Sequence, residues 1–473
     1  MKKALLQTKP LALLMKETTE EGHRLRKVLG AWDLIAIGIG CIIGVGIFVL
    51  PGVQAAKNAG PGIILSFAIA AVACACSALC YAELAAMIPV AGSAYTYGYA
   101  TLGEIFAWII GWDLILEYMV AAVLVSTGWS AYFVNLVKNI GLHVPQSIAA
   151  SPWDKDPGVL NVPAAFIGLL LTALLVRGIK ESAKVNLGIV ILKVSVILFF
   201  IVITVWHVDP SKWQPFMPFG FGGVLRSAAI VFLAFVGFDA VSTTAEEAKN
   251  PQRDMPIGIM GSLAVATVLY MAVAAIMTGI VPYADLDVAD PVAKVLNVLQ
   301  MPWASAIVSV GAIAGITSVL LVLILGQPRI LFAMSRDGLL PPALSRVHRK
   351  YQTPHRTTIL TGGIVAIAAA LTPIDVSSEL CSIGTLFAFI IVGAGVIVLR
   401  YIRPDLHRPF RVPLAPVIPG LGVLLCGYLM LNLPGTAWIR FAVWLAAGLL
   451  IYTFYGYRHS LIRRGGSARS SAD

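Results

Sequence analysis

Four glycines crowd one short apolar stretch of this 473-residue chain, Ile37-Gly38-Ile39-Gly40-Cys41-Ile42-Ile43-Gly44-Val45-Gly46-Ile47-Phe48. Each glycine weakens a helix by about 1 kcal/mol relative to alanine, so the spacing predicts a helix that opens here. A second stretch, Phe235-Val236-Gly237-Phe238-Asp239, leads into the polar run Ser242-Thr243-Thr244 and carries the same weakness. An opened helix in an apolar medium has a specific chemistry. N–H groups at the restarted N-terminus attract a carboxylate, and the freed carbonyls attract an ammonium group. A zwitterion satisfies both sets. The glycines also fit a packing role, because Gly40-Cys41-Ile42-Ile43-Gly44 is a small-xxx-small contact motif. They do not form GxGxxG after a strand, which sets a dinucleotide loop aside.

Ionisable residues inside apolar runs are the second kind of candidate. Lys193 stands about eight residues, roughly 12 Å, into its run, too deep for easy snorkelling. A lone lysine at that depth costs at least about 2.5–3.5 kcal/mol on insertion scales. It is read either as a functional group or as a structural one, held in an ion pair or as a strut bonded to carbonyls. Glu117 lies near the middle of another run, with Asp113 one turn away on the same face. Both are candidates for binding a proton or a cation, or for packing as protonated or hydrogen-bonded carboxyls. Asp239, beside Gly237, is expected to hydrogen-bond the freed backbone. Glu246, Glu247, Arg253 and Asp254 read as gate or loop-ordering pairs, or as a solvated cluster. The six cysteines, Cys41, Cys74, Cys76, Cys80, Cys381 and Cys426, all lie in apolar stretches. No His or acid stands at zinc-ligand spacing beside them, so no metal site, cofactor site or disulfide framework is expected.

The elements that hold these residues follow from composition. The chain is 58% hydrophobic and 12% charged, about half the charge of a soluble domain. A bilayer can hide that much apolar surface, and a soluble core of this size cannot. Runs of about 20 apolar residues cross the hydrocarbon as helices. Open sheet is excluded because each unpaired backbone group in lipid costs several kcal/mol. Twelve spans are predicted, near 32–55, 62–88, 104–131, 162–177, 185–206, 226–245, 257–281, 303–332, 357–373, 378–400, 414–432 and 437–457. With both termini in the cytoplasm, 26 of the 34 lysines and arginines fall inside, seven fall outside and Lys193 lies within a span. This asymmetry follows the positive-inside rule and accounts for the net charge of +10 without nucleic acid. Residues 1–30 lack the apolar core of a cleavable signal. Spans one and six hold matching places if the chain is two five-helix repeats plus two further helices, and paired broken spans mark a transporter's binding site.

At this point the sequence resembles the amino acid–polyamine–organocation (APC) superfamily of transporters, and within it the bacterial members of the cationic amino acid transporter branch. Four stretches carry the resemblance: Ile39 to Phe48; Tyr81-Ala82-Glu83-Leu84 with Pro89-Val90-Ala91-Gly92-Ser93-Ala94-Tyr95-Thr96-Tyr97; Gly237-Phe238-Asp239 leading to Glu246 through Pro256; and Arg329 through Pro341. The similarity runs from about residue 25 to 460. The resemblance implies an all-α membrane protein of 12 transmembrane helices with a leucine-transporter-like fold. In it, a 5+5 inverted repeat has helices 1 and 6 broken and two extra helices follow. It implies a substrate carboxylate on the N–H groups of Gly44, Val45 and Gly46, and an amino group on the carbonyls of Ile42, Leu233, Ala234 and Val236. A side-chain pocket is implied near Glu117, Phe235, Leu323 and Ile324. Sodium-coupled relatives hold a sodium ion where Lys193 falls, so its ammonium is expected to replace that ion and to carry a coupled proton, with Glu117 as a second candidate.

The expected organisation is a cytoplasmic segment 1–30, repeat one over 31–206, repeat two over 226–400, spans eleven and twelve over 414–457 and a cytoplasmic tail 458–473. The expected function is proton-coupled uptake of amino acids by alternating access in the inner cell membrane. Its partners are the amino acid, protons and the lipid bilayer. The aliphatic character of the eighth span favours small neutral amino acids, with cationic ones as a second class. An exchanger, a facilitator or a carrier of a related small metabolite is the alternative. No HExxH motif, Ser–His pair or cofactor motif supports an enzyme, and no output domain supports a receptor.

Overall fold

The computed structural model describes residues 8, 27–90, 93–139, 142–153, 157–177, 179–288, 290–348, 353–372, 374–433, 435–461 and 463. Most of the expected N-terminal segment and of the tail after Arg463 therefore lies outside the described residues, as do Ala91, Gly92, Arg349 and Lys350. The fold is helical, and the single β-bridge among the described residues joins Leu29 to Ala248.

The first expected span is three helices: α1 (Ala31–Ile42), α2 (Val45–Phe48) and α3 (Leu50–Gln54). Then come α4 (Ile63–Met87), the short α5 (Ala94–Thr101), α6 (Glu104–Asn139), α7 (Val162–Arg177) and α8 (Ile179–Thr204). The sixth span begins as α9 (Gly220–Val231) and goes on as 3₁₀ turns over Phe232–Phe235 and Phe238–Glu247. The rest are α10 (Pro251–Ile280), α11 (Pro302–Arg336), α12 (His355–Leu371), α13 (Ile374–Ile402), α14 (Val417–Leu431) and α15 (Gly435–Ile451).

Among the described residues, eight stretches are long and apolar enough to cross a membrane, and α1, α7, α12 and α14 are shorter apolar helices at other expected spans. Helix α10 starts six residues before its expected limit because Pro251 sits at the first helical position, where a missing N–H costs nothing.

Helix α6 is central. In its most apolar window 72% of the residues are buried, against 22% for Gly435–His459 at the periphery. The closest-packed neighbours are α4 with α10, α6 with α11, α1 with α10, α6 with α13, α13 with α14 and α7 with α12. The segment before α1 pairs with the end of the sixth span, Val28 and Leu29 N–H donating to the Glu247 carbonyl at 2.9 and 3.0 Å. The start of the first span thus meets the end of the sixth, and the two breaks lie side by side in the core.

Candidate functional site

Both breaks are present in the backbone. Helix α1 ends at Ile42, and Ile43 is extended at φ −82, ψ 103. The chain turns through Ile43 and Gly44 before α2 restarts the helix. The N–H groups of Gly44, Val45 and Gly46 stand at that restart, where a helix supplies no acceptors of its own. In the sixth span Val236 is extended and Gly237 has φ +120, a region glycine alone enters without strain. A Cβ on Gly237 would stand 2.6 Å from Cys41 Sγ, and one on Gly46 would stand 2.6 Å from Ala234 Cβ. The two breaks approach so closely that side chains at these glycines would part them.

A cavity of about 300 Å³ opens between the breaks. Of the residues expected there, Ile42, Gly44, Gly46, Leu233, Ala234, Val236 and Leu323 line it. The rest of the wall is mostly apolar and comes from Val49, Leu50, Ala121, Leu124, Val125 and Val319, with Cys41 and Cys381. Three expected residues point elsewhere. Phe235 packs edge-on against Phe67 and tilts against Tyr270. Ile324 faces a separate crevice with Leu175, Arg329 and Thr353. One residue along a helix is about 100° of rotation, so Leu323 and Ile324 cannot share a face. Glu117 lies one turn from Ala121 and accepts the Thr385 hydroxyl at 2.7 Å, which turns it toward α13 rather than into the cavity.

Lys193 has no exposed surface. Its Nζ donates to the carbonyls of Gly40 at 3.0 Å and Ile43 at 2.7 Å and to Ser318 Oγ at 2.6 Å. Those three acceptors use all three protons of an ammonium group. The residue joins α8, the break after α1 and α11 at one point, and no carboxylate pairs with it among the described residues. Asp239 accepts the Gly237 N–H at 3.2 Å and the Tyr118 hydroxyl at 2.9 Å, bracing the second break as its position suggests.

Two contacts were not anticipated. The Tyr270 hydroxyl lies 2.7 Å from the Ile42 carbonyl and 2.9 Å from that of Ala234. It therefore bridges the two breaks through carbonyls expected to receive an amino group. Ser318, which bonds Lys193 and also the Gly40 carbonyl at 3.0 Å, is the other. The only sequence signal for either was a polar atom within an apolar span.

Beyond the second break, Glu247 takes Arg329 Nε at 3.0 Å and Nη2 at 2.7 Å, and Glu246 takes Arg336 Nη2 at 3.0 Å. All four side chains are buried. Ser242 and Ser93 bond at 2.7 Å, and the Tyr95 hydroxyl donates to Asp337 at 2.5 Å. Of the charged residues singled out there, Glu246, Glu247 and Asp254 are buried while Arg253 is exposed. Glu246 and Glu247 thus form a closed ion-paired layer rather than a solvated cluster.

A profile of the amino acid permease family matches residues 29–454. The chain is 47% identical to the methylthioribose transporter of Bacillus subtilis over 461 residues, 98% of this chain and 100% of that protein. It is 49% identical to the branched-chain amino acid permease of the same organism over 467 residues, again 98% and 100%. It is 39% identical to the vacuolar cationic amino acid transporter 4 of Arabidopsis thaliana over 389 residues, 81% of this chain and 65% of that one.

Proposed function

The chain belongs to the amino acid permease family within the APC superfamily, and on that premise we propose that it is a secondary active permease that takes amino acids into the cell by proton-coupled alternating access. The observation that carries the proposal is the cavity between two opened helices, with the N–H groups that start α2 on one side and backbone carbonyls of the sixth span on the other. A zwitterion completes both sets of dipoles at once. The carboxylate binds at Gly44, Val45 and Gly46. The amino group binds at the carbonyls of the sixth span, Leu233 to Val236, and at that of Ile42, beside the Tyr270 hydroxyl that braces them.

The cavity wall supports an apolar side chain. Glu117 is turned away, so no acidic side chain waits for a cationic one, and Val49, Val125, Val319 and Leu323 present aliphatic surface. Among neutral amino acids, branched-chain ones fit this wall best, in keeping with the name of one relative. A second reading has its own support. The other bacterial relative is named for methylthioribose, an uncharged molecule with an apolar tail, which would use the wall and leave the dipoles to hydroxyl groups.

The proposed architecture is twelve spans in the inner membrane with both termini cytoplasmic, spans one to five and six to ten forming inverted repeats. The close packing of α4 with α10, α6 with α11 and α7 with α12 supports it, since these are the second, third and fourth spans of each half meeting their counterparts. In this frame the layer Glu246–Arg336 and Glu247–Arg329 is the cytoplasmic gate. It must part when spans one, two, six and seven rock against three, four, eight and nine. Lys193 takes the place of a coupling ion and ties the first break to the static helices, and Lys193 and Glu117 are the coupling candidates.

The test is uptake of a labelled amino-acid panel and of methylthioribose into proteoliposomes with imposed pH gradients and no sodium. Accumulation of branched-chain amino acids under an inward proton gradient is expected. Equal uptake with and without the gradient would make the protein an exchanger or facilitator, and uptake of methylthioribose alone would replace the substrate.

A further inference from the structure

Below the cavity, two acids on α6 straddle a glycine on α13. Asp113 has no exposed surface, and neither of its carboxyl oxygens has a hydrogen-bond partner. Glu117, one turn nearer the cavity, spends Oε1 on Thr385 and leaves Oε2 without a partner. A Cβ on Gly384 would stand 3.0 Å from Asp113 Oδ1 and 3.7 Å from Glu117 Cβ, so the glycine is what lets both acids face α13. Ala121 and Cys381, one turn above Glu117 and Thr385, belong to the cavity wall. The order from the cavity toward the ion-paired end of the bundle is therefore Ala121, Glu117, Asp113.

An ionised carboxylate cannot persist unbonded in such a place. Desolvating it costs far more than desolvating its protonated form, and buried polar groups without partners are rare enough to demand a reason. Among the described residues, no cation bears on either acid. Glu117 on its own helix bears on Asp113, and the buried Tyr81 phenol comes from α4. On the adjacent turn Gly111 meets Tyr95 of α5 and Met334 of α11, and α15 stacks Trp444 on Trp112. Asp239 of the sixth span and Cys381 of α13 bear on Glu117. A plain packing acid would gain from a hydroxyl acceptor for its proton, and none is provided.

We infer that Asp113 is the inner proton-binding residue of the transport cycle, exchanging one proton with Glu117 and releasing it toward the gate. The inference rests on the proton-coupled reading above. With the proton on Asp113, Glu117 is a carboxylate accepting the Thr385 hydroxyl. When the gate side opens to water, Asp113 gives its proton to the cytoplasmic side as a hydrated carboxylate, Glu117 takes up a proton from the cavity side and passes it to Asp113, and the pair again holds one proton. No other co-reactant is needed. The absence of fixed partners lets Asp113 alternate.

The test uses Asp113→Asn, which keeps the shape of the protonated acid and cannot exchange a proton. In proteoliposomes the variant is expected to keep exchange of labelled for unlabelled substrate at equal pH, and to lose accumulation above the external concentration under a proton gradient. Its thermal midpoint is expected at or above that of the parent protein, because a costly buried acid has been removed. Retained gradient-driven accumulation would overturn the inference. So would a fall in thermal midpoint with loss of both exchange and accumulation, which marks an acid needed for packing. If the parent protein itself shows no gradient-driven accumulation, the coupled reading fails before Asp113 is reached.

Discussion

The two ends of the helix bundle are closed by different means. Past the second break, arginines meet buried glutamates: the buried Arg329 with Glu247 and Arg336 with Glu246, and the partly buried Arg400 with Glu83 at 2.5 Å. Nearby, Glu104 is fully buried and takes Tyr452 at 2.6 Å, Tyr99 at 3.0 Å and Arg463 at 2.9 Å. At the opposite end Lys57 meets Asp287 at 3.1 Å, but both side chains are about half exposed, at 55% and 48%. A pair in water is worth about 0–1 kcal/mol. A buried pair returns little net energy while intact, yet losing one partner strands a charge. The comparison teaches that one end resists opening until both members of a pair are released together, while the other can open with little change in electrostatic energy. Between them, the breaks are held by Lys193, Ser318, Tyr270 and Asp239.

The sharpest way to break this comparison is Arg329→Ala. It strands Glu247 and should cost about 3–5 kcal/mol of stability, read as a fall in chemical or thermal unfolding of the purified protein. Replacing both partners with apolar residues, Arg329→Met with Glu247→Leu, should recover most of that loss. A double variant as unstable as the single one would mean that the layer is held by something other than charge.

Lys193→Ala comes next. It removes the donor to the Ile43 carbonyl and leaves Gly40 with Ser318, at a cost of about 1–3 kcal/mol for the orphaned acceptors. Folding should survive while transport is lost, measured as monodispersity in detergent beside proteoliposome uptake. Full activity in this variant would remove Lys193 from the coupling.

Tyr270→Phe tests the bridge between breaks more gently. Loss of one hydroxyl should cost about 0.5–1.5 kcal/mol and weaken substrate binding, which thermal-shift titration would read. Tighter binding in this variant would instead make the hydroxyl a competitor that substrate must displace. The smallest effect is expected for Lys57→Ala, about 0–1 kcal/mol. A loss as large as that of Arg329→Ala would erase the contrast between the ends.

Much of this was legible in the chain. Glycine spacing located both breaks because glycine is scarce where a helix must hold, and Lys193 stood out as the one lysine deep in an apolar run. The cavity wall was not legible. Val49, Ala121, Val125 and Val319 are ordinary residues in apolar spans, and only packing separates a cavity-facing valine from a lipid-facing one. Glu117 and Ile324 were placed a face away from where they point, since spans read by hydropathy carry no rotational phase. Tyr270 and Ser318 escaped notice because neutral hydroxyls hide in apolar runs until a carbonyl is found beside them. Glu246 and Glu247 read equally as solvated or paired until their arginines, some 80 to 90 residues away, were in place.

The central claim is that the opened backbone recognises a zwitterion, and binding of leucine against its two half-analogues tests it most directly. Leucine should raise the thermal midpoint of the purified protein. Isoamylamine, which lacks the carboxylate, and isocaproate, which lacks the amino group, should each leave it unchanged at the same concentration. Equal stabilisation by either analogue would contradict the account, because the N–H groups at Gly44–Gly46 and the carbonyls of the sixth span would then not be read together.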